Sequence, residues 1–377
     1  MQLISSIYVL LIPFFDVPRW GIDGIALSFF PAIVILVYSI LISQTPFPRE
    51  KFILFFIFIA IYTMSFLINF FDLDSRSWRH IIYYLVTFAV YYMSVFYSVR
   101  ILGITRFRRY IYIGLWIIAS IGTIELILFY IYGFDSYANF LNHGGNVGTF
   151  AGFLPRMRSL FNEPSHLALY VVSVAPIVWS YGYIARLLIV YILIATFSTS
   201  MIIGVTLSYV FVILYKTLNL RRIRISKLIC YVVIFCALSA VVIFYFNIIF
   251  DKAINISERD VVRYNALIKS IPYIWEGLFL GNGPAFYYTY YEYGLFNWYL
   301  QLLIESGLLG ICSMLFFLFS HYRNIRRSLG VVGIFFFVAA LIQYTGMNHY
   351  YIPGIWVLMA YSKGAMIMSH PIQRGRS

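Results

Sequence analysis

The chain of 377 residues is 62% hydrophobic and only 11% charged, whereas a soluble domain carries roughly 25% charged residues. Water is therefore not its main solvent, and the composition excludes an ordinary soluble enzyme or binding module. The net charge of +13 would suggest a nucleic-acid partner in a soluble protein. Here the positions of the basic residues indicate the orientation of membrane helices instead.

Apolar runs long enough to cross a hydrocarbon core, which takes ~20 residues of helix, recur along the whole chain. They predict an all-α, polytopic integral membrane protein with one domain over residues 1–377 and about 12 transmembrane helices. The first run is interpreted as a span and not as a signal peptide, because it lacks a basic start and a small-residue cleavage site. The predicted spans are residues 2–15, 25–43, 52–71, 81–99, 109–132, 165–181, 187–199, 200–215, 228–250, 297–319, 331–347 and 352–368.

The division of the apolar run at residues 187–215 into two short spans is required by the orientation of the helices that follow. With both termini in the cytoplasm, about two thirds of the 27 lysines and arginines lie in inner loops and the tail. The only acidic residue on that side is Glu50. The basic residues left outside are Arg19, Arg76, Arg79, Arg156, Arg158, Lys252, Arg259, Arg263 and Lys269.

Two outer segments are long, residues 133–164 and 251–296, and long loops on a membrane scaffold usually carry function. Both hold arginines on the side where the charge bias disfavours them. An anionic ligand would account for Arg156, Arg158, Arg259 and Arg263. The three cysteines, by contrast, all lie in apolar runs and indicate neither a disulfide nor a metal site.

The first long loop ends in residues 154–166, which read LPRMRSLFNEPSH. Pro164 suits the first turn of a helix, and Glu163 would sit favourably at the positive helix end. Capping of the helix is one interpretation of Glu163. The other is that backbone donors, Arg156 and Arg158 together present a site for phosphate. The two arginines could instead contact lipid headgroups.

The second long loop contains residues 257–267, SERDVVRYNAL, and 280–284, LGNGP, before residues 297–307, NWYLQLLIESG. Arg259 and Arg263 are four residues apart, so in a helix they share one face, and a diphosphate between them would relieve their repulsion. Pairing with neighbouring acids is the alternative. The aromatic run at residues 286–293 is either a membrane-surface belt or a floor on which sugars stack, with Tyr287, Tyr288 and Tyr291 as candidates.

In order and spacing, these segments resemble the superfamily of Wzy-type O-antigen polymerases and O-antigen ligases over roughly residues 150–365. The family signature of loop one is Arg-x-x-(Gly/Ser)-x-Phe-x-(Glu/Asn)-Pro. Its second loop has a Leu-Gly-x-Gly turn, then His-Asn-x-Tyr-Leu leading into a helix with Glu-x-Gly. Phe296 occupies the place of the ligase histidine, which favours the polymerase branch.

The resemblance implies a glycosyltransferase without metal or cofactor, in the bacterial inner membrane, that joins undecaprenyl-diphosphate-linked repeat units at the periplasmic face. Its partners would be those lipid-linked oligosaccharides, membrane lipids and a chain-length regulator protein, with no nucleic acid. Glu163 is the first candidate for the general base on the acceptor hydroxyl, and His349 is the second. The four outer arginines, Arg156, Arg158, Arg259 and Arg263, would bind the diphosphates.

Three other functions remain open from the sequence. One is an O-antigen ligase, and another is a flippase for lipid-linked sugars, although a flippase should carry more charge within its spans. The third is a metal-dependent glycosyltransferase that uses Asp72 and Asp74, for which a turn is the simpler interpretation. Glu125 and Glu305 lie inside apolar spans, where an acid marks function or a buried partner. We expect Glu305 to lock its helix to the second loop.

Overall fold

The computed structural model describes residues 1–15, 27–42, 47–73, 77–133, 154–219, 258–287, 295, 297–347 and 351–369. Within these ranges the secondary structure is helical and contains no β-strand, which confirms the all-α class for the described part of the chain. The helices are α1 (Gln2–Leu11), α2 (Phe29–Val37), α3 (Arg49–Ile68), α4 (Trp78–Thr87), α5 (Ser94–Leu102), α6 (Ile104–Tyr132), α7 (Pro164–Val178), α8 (Tyr183–Thr196), α9 (Thr199–Asn219), α10 (Glu258–Glu276), α11 (Trp298–Phe319), α12 (Tyr322–Gln343) and α13 (Pro353–Ser369).

Five helical segments within the described ranges are long and apolar enough to cross a membrane. In hydrocarbon a helix satisfies every backbone donor and acceptor of its own interior, so such runs fold as helices there. The segment that joins α4 to α5 continues through a π-helical turn at Phe88–Met93. The five segments are Arg49–Ile68, Trp78–Leu102, Ile104–Tyr132, Trp298–Phe319 and Tyr322–Gly346.

The break between α8 and α9 falls where the sequence predicts one. Phe197 adopts a left-handed backbone conformation with φ of 41°, and a right-handed helix cannot continue through such a residue. Helix α8 therefore ends at Thr196, and α9 begins at Thr199. Gly204 of α9 approaches Ala339 of α12 so closely that a Cβ atom there would lie 2.8 Å from the Ala339 carbonyl oxygen. Small residues at such a crossing are typical of membrane helices.

Helix α7 lies at the centre of the bundle. All of its residues except Ser165 are buried, and it packs against α6, α8, α9, α12 and α13. An apolar helix surrounded on all sides can move only if its neighbours move with it. The start of α7, where Glu163 precedes Pro164, is therefore held in place by most of the described bundle.

His321 is buried in the turn between α11 and α12. Its Nδ1 lies 2.9 Å from the Phe317 carbonyl oxygen, and its Nε2 lies 2.9 Å from the Tyr92 hydroxyl. Because a carbonyl can only accept, Nδ1 carries the hydrogen and Nε2 accepts from Tyr92. Burial, followed by the nearby Lys51 charge, lowers the pKa of His321 from 6.5 to about 3.

We expect this histidine to make the folded protein sensitive to acid. The folded state resists protonation of His321 while the unfolded state accepts a proton near its ordinary pKa. His321 therefore costs no stability above pH 6.5, and the cost grows as the pH falls towards 3, reaching roughly 2 kcal/mol at pH 5. Between pH 8 and pH 5, the unfolding temperature of the detergent-solubilised protein should fall less for His321→Gln than for the wild type. Parallel pH profiles would contradict this assignment.

Candidate functional site

A buried ion pair anchors the segment that carries the first motif. Arg158 is fully buried, and its Nε lies 2.7 Å from Oε1 of Glu125 in α6. The other carboxylate oxygen of Glu125 accepts from the backbone nitrogens of Arg158 at 2.7 Å and Ser159 at 2.8 Å. Ser159, which has φ of 55°, also donates its hydroxyl to the Ile118 carbonyl. A charge within an apolar helix persists because it is paired and hydrogen-bonded in this way.

Because Arg158 is fully buried against Glu125, we do not include it among the proposed diphosphate-binding residues. Its neighbour Arg156 is only partly buried and has a different environment. The Arg156 Nε donates to the Thr196 carbonyl at 3.1 Å, and the Met157 nitrogen donates to the Ala195 carbonyl at 2.9 Å. A cation at the last turn of α8 interacts favourably with the negative end of that helix.

Glu163 stands at the amino-terminal end of α7, with Pro164 in the first turn as the sequence predicts. Its side chain makes no capping hydrogen bond to the helix backbone. The carboxylate instead accepts from the Ser165 hydroxyl at 3.0 Å and lies 3.9 Å from Nε2 of His166. The Glu163 side chain is 42% exposed, whereas His166 is buried. The carboxylate is thus held by the Ser165 hydroxyl and partly exposed.

The glycine turn of the second loop, residues 280–284, packs against α11 around Gly307 through backbone contacts. Gly307 interrupts α11 with φ of 61°, and a Cβ atom there would lie 2.3 Å from the Phe279 carbonyl oxygen. A Cβ on Gly281, with φ of 78°, would lie 2.4 Å from the Glu305 carbonyl carbon. Backbone hydrogen bonds run both ways, from Asn282 and Gly283 to α11 and from α11 back to the turn. Glycine is required where two backbones approach this closely.

Glu305 joins α11 to the same turn and to α3. Its carboxylate accepts from the Ala285 nitrogen at 3.0 Å, from the Gln301 amide at 2.9 Å and from the Tyr62 hydroxyl. The expectation that Glu305 locks its helix to the second loop is confirmed. Tyr62 carries no signal in the sequence that distinguishes it from the many other tyrosines, because its partner lies 243 residues away.

Contacts at the end of α12 bring the two motif regions to one end of the bundle. The Gln343 amide donates to the Ser165 carbonyl at 3.2 Å, at the start of α7. The next residue, Tyr344, packs its ring 4.8 Å from that of Trp298 at the start of α11. The backbone nitrogen of Trp298 donates to the Met347 carbonyl at 3.0 Å. The only signal of Gln343 in the sequence is a polar amide within an apolar span, and Trp298 has none that distinguishes it from the other aromatic residues.

The other predicted site residues lie in different environments or outside the described part of the chain. Tyr287 is 1% exposed and packs in a small apolar cluster with Phe286, so its ring is not open to a sugar. Arg259 and Arg263 lie on α10, so the helix in which residues four apart share one face is present. Asp72 ends a short 3-10 helix at Phe70–Asp72. His349, Tyr288, Tyr291, Asp74 and Phe296 lie outside the described residues.

Comparisons with known proteins add no assignment. No protein-family model matches the chain, and no curated protein sequence matches it significantly.

Proposed function

We propose that this protein is a Wzy-type polymerase that joins undecaprenyl-diphosphate-linked repeat units into an O-antigen or a similar surface polysaccharide. One observation carries the proposal. The Gln343 amide donates to the start of α7, which Glu163 precedes, and the Met347 carbonyl accepts from the start of α11. The end of α12 and the turn after it thus contact the first turns of both motif helices. A reaction between two lipid-linked substrates needs such a convergence, because both must be held together.

The proposed reaction transfers the growing glycan from its diphosphate carrier to a hydroxyl of the next repeat unit. The bond between the anomeric carbon and the diphosphate oxygen breaks, and a bond to the acceptor oxygen forms. Glu163 accepts the proton of the acceptor hydroxyl, with His349 as the second candidate. Negative charge grows on the departing undecaprenyl diphosphate. Arg156, Arg259 and Arg263 would stabilise that charge more strongly in the transition state than in the ground state.

The membrane topology belongs to the same proposal. About 12 spans, with residues 133–164 and 251–296 as the two long outer loops, place the reacting end at the periplasmic face of the inner membrane. Both termini are then cytoplasmic, as the distribution of basic residues favours. Tyr288 and Tyr291 remain candidates for sugar stacking. A chain-length regulator is the proposed protein partner.

The deciding experiment supplies the purified protein with purified lipid-linked repeat units and resolves the products by size. A polymerase should convert single units into a ladder of lipid-linked oligomers. Transfer only to a lipid A core acceptor would instead identify a ligase. Movement of the lipid across the bilayer of a proteoliposome, without any new glycosidic bond, would identify a flippase. Loss of the ladder on addition of a chelator would favour a metal-dependent transferase.

Two substitutions test the residue roles in that assay. Glu163→Gln should slow extension by roughly 10²- to 10⁴-fold, because the amide cannot take up the hydroxyl proton. Arg156→Gln should lower kcat more than it raises KM, since the charge acts mainly on the departing diphosphate. Glu50→Gln and Arg327→Gln change exposed residues elsewhere on the bundle and serve as matched controls. Wild-type chain lengths from either test variant would remove that residue from the mechanism.

A further inference from the structure

A groove runs along the outside of the bundle between α6 and α8. It has a volume of about 350 Å³ and is lined mainly by Trp116, Ser120, Leu187, Leu188 and Tyr191. Most of these side chains are exposed, and α6 is one of the helices long and apolar enough to span a membrane. The groove therefore opens towards the surroundings of the bundle, which in a membrane are lipid chains.

The groove is bounded at both ends. At one end the Thr123 hydroxyl and the Tyr191 hydroxyl lie 2.7 Å apart and tie the two helices together. At the other end the ring of Tyr112 lies 6.3 Å from Trp116 and 5.6 Å from Tyr181. These contacts give the groove a fixed length of roughly 10 Å along α6, from Trp116 to Thr123. This length fits a short stretch of an extended hydrocarbon chain.

A cation lies beyond the Tyr112 end. Arg109 precedes Trp116 by seven residues and Ser120 by eleven, which are close to two and three whole helical turns, so all three lie on one face of α6. Arg109 is exposed, and none of the carboxylates that the structure describes pairs with it. The first turns of α6 and α8 contain no acidic residue.

The neighbouring Arg108 has a different role. Its Nε donates to the Tyr361 hydroxyl at 2.6 Å, and its guanidinium lies over the Tyr361 ring. Arg108 thereby fixes the first turn of α6 against α13, while Arg109 is left on the groove side. Arg108 thus packs within the bundle, whereas the charge of Arg109 is exposed.

We propose that this groove binds an anionic glycerophospholipid, with one acyl chain between α6 and α8 and the phosphate at Arg109. The interfacial layer of a bilayer is roughly 5 to 8 Å thick on each side. Arg109 lies about 10 Å from Trp116 along the helix axis, so it reaches the headgroup level when the groove lies at the edge of the hydrocarbon. The Arg109 charge, with which none of the described carboxylates pairs, favours an anionic headgroup over a zwitterionic one. This site is independent of the proposed polymerase activity.

The test measures lipid retention by the purified full-length protein with native mass spectrometry. The protein is exchanged into detergent that contains equal amounts of phosphatidylglycerol and phosphatidylethanolamine. Wild-type protein should retain phosphatidylglycerol preferentially. Arg109→Gln should reduce that retention about fivefold, since a juxtamembrane basic residue contributes about that factor. Arg109→Lys should keep it, because the charge remains.

Two further variants separate a specific site from general attraction. Ser120→Leu narrows the groove without changing charge and should reduce the retained lipid as well. Arg327→Gln removes an exposed arginine of α12 outside the groove and should leave retention unchanged. Equal effects of Arg109→Gln and Arg327→Gln would overturn the proposal. So would equal retention of both lipids by the wild type, or no effect of Ser120→Leu.

Discussion

Replacing Glu125 by leucine should destabilise the folded protein by roughly 3 to 5 kcal/mol. The substitution leaves the guanidinium of Arg158 buried without its counter-ion. It also removes the acceptor of two backbone N–H groups, each of which costs about 1 to 3 kcal/mol when buried without a partner. Thermal and denaturant unfolding in detergent would measure the loss.

Arg158→Met should cost less than Glu125→Leu, because the carboxylate would still accept the backbone donors of Arg158 and Ser159. The double variant should then be more stable than the sum of the single effects predicts, with a coupling energy of about 2 kcal/mol or more. Additive effects within about 0.5 kcal/mol would show that the pair does not anchor the segment.

The same variants separate an anchoring role of Arg158 from contact with substrate. If Arg158 binds the diphosphate, its replacement should reduce extension of lipid-linked repeats and leave the unfolding temperature unchanged. If Arg158 is an anchor, its replacement should lower the unfolding temperature, and the proposed activity should fall because Glu163 and Arg156 lose their positions. A variant of Arg158 with wild-type stability and no activity would return this arginine to the diphosphate set.

Gly307→Ala should also strongly destabilise the folded protein. The added Cβ would lie 2.3 Å from the Phe279 carbonyl oxygen, and that oxygen belongs to backbone that is itself hydrogen-bonded to α11. Neither backbone can move without breaking the contact between the glycine turn and the helix. The variant should lose more than about 3 kcal/mol, and the turn at residues 277–283 should become sensitive to protease.

Gly330 provides a matched control for this substitution. It has φ of 66° and ψ of −152°, close to the φ of 61° and ψ of −167° of Gly307, but a Cβ there would meet nothing within 4 Å. Gly330→Ala should therefore show the backbone strain alone, about 1 to 3 kcal/mol. Equal losses in both variants would mean that conformation, and not close approach to Phe279, makes Gly307 necessary.

Much of the fold follows from local features of the sequence. Apolar runs predict the helices, because hydropathy acts over neighbouring positions, and Pro164 predicts the start of α7 for the same reason. The break between α8 and α9 follows from the orientation of the helices after it, which the distribution of basic residues indicates. The role of Glu305 could also be anticipated, since an acid in an apolar span needs a partner nearby.

The identity of the partners was decided only by the tertiary structure. Glu125 and Arg158 were each conspicuous, one as an acid within a span and the other as an outer arginine, yet nothing local pairs them across 33 residues. The sequence indicates a turn at Gly281 and places Gly307 within a helix, while the need for glycine at both positions comes from the close approach of the turn and α11. Composition and hydropathy were enough to predict the helical class of the described residues, because apolar runs are local features of the chain. Which polar groups meet depended on how those helices pack, because each buried charge or donor must find its partner on whichever segment lies beside it.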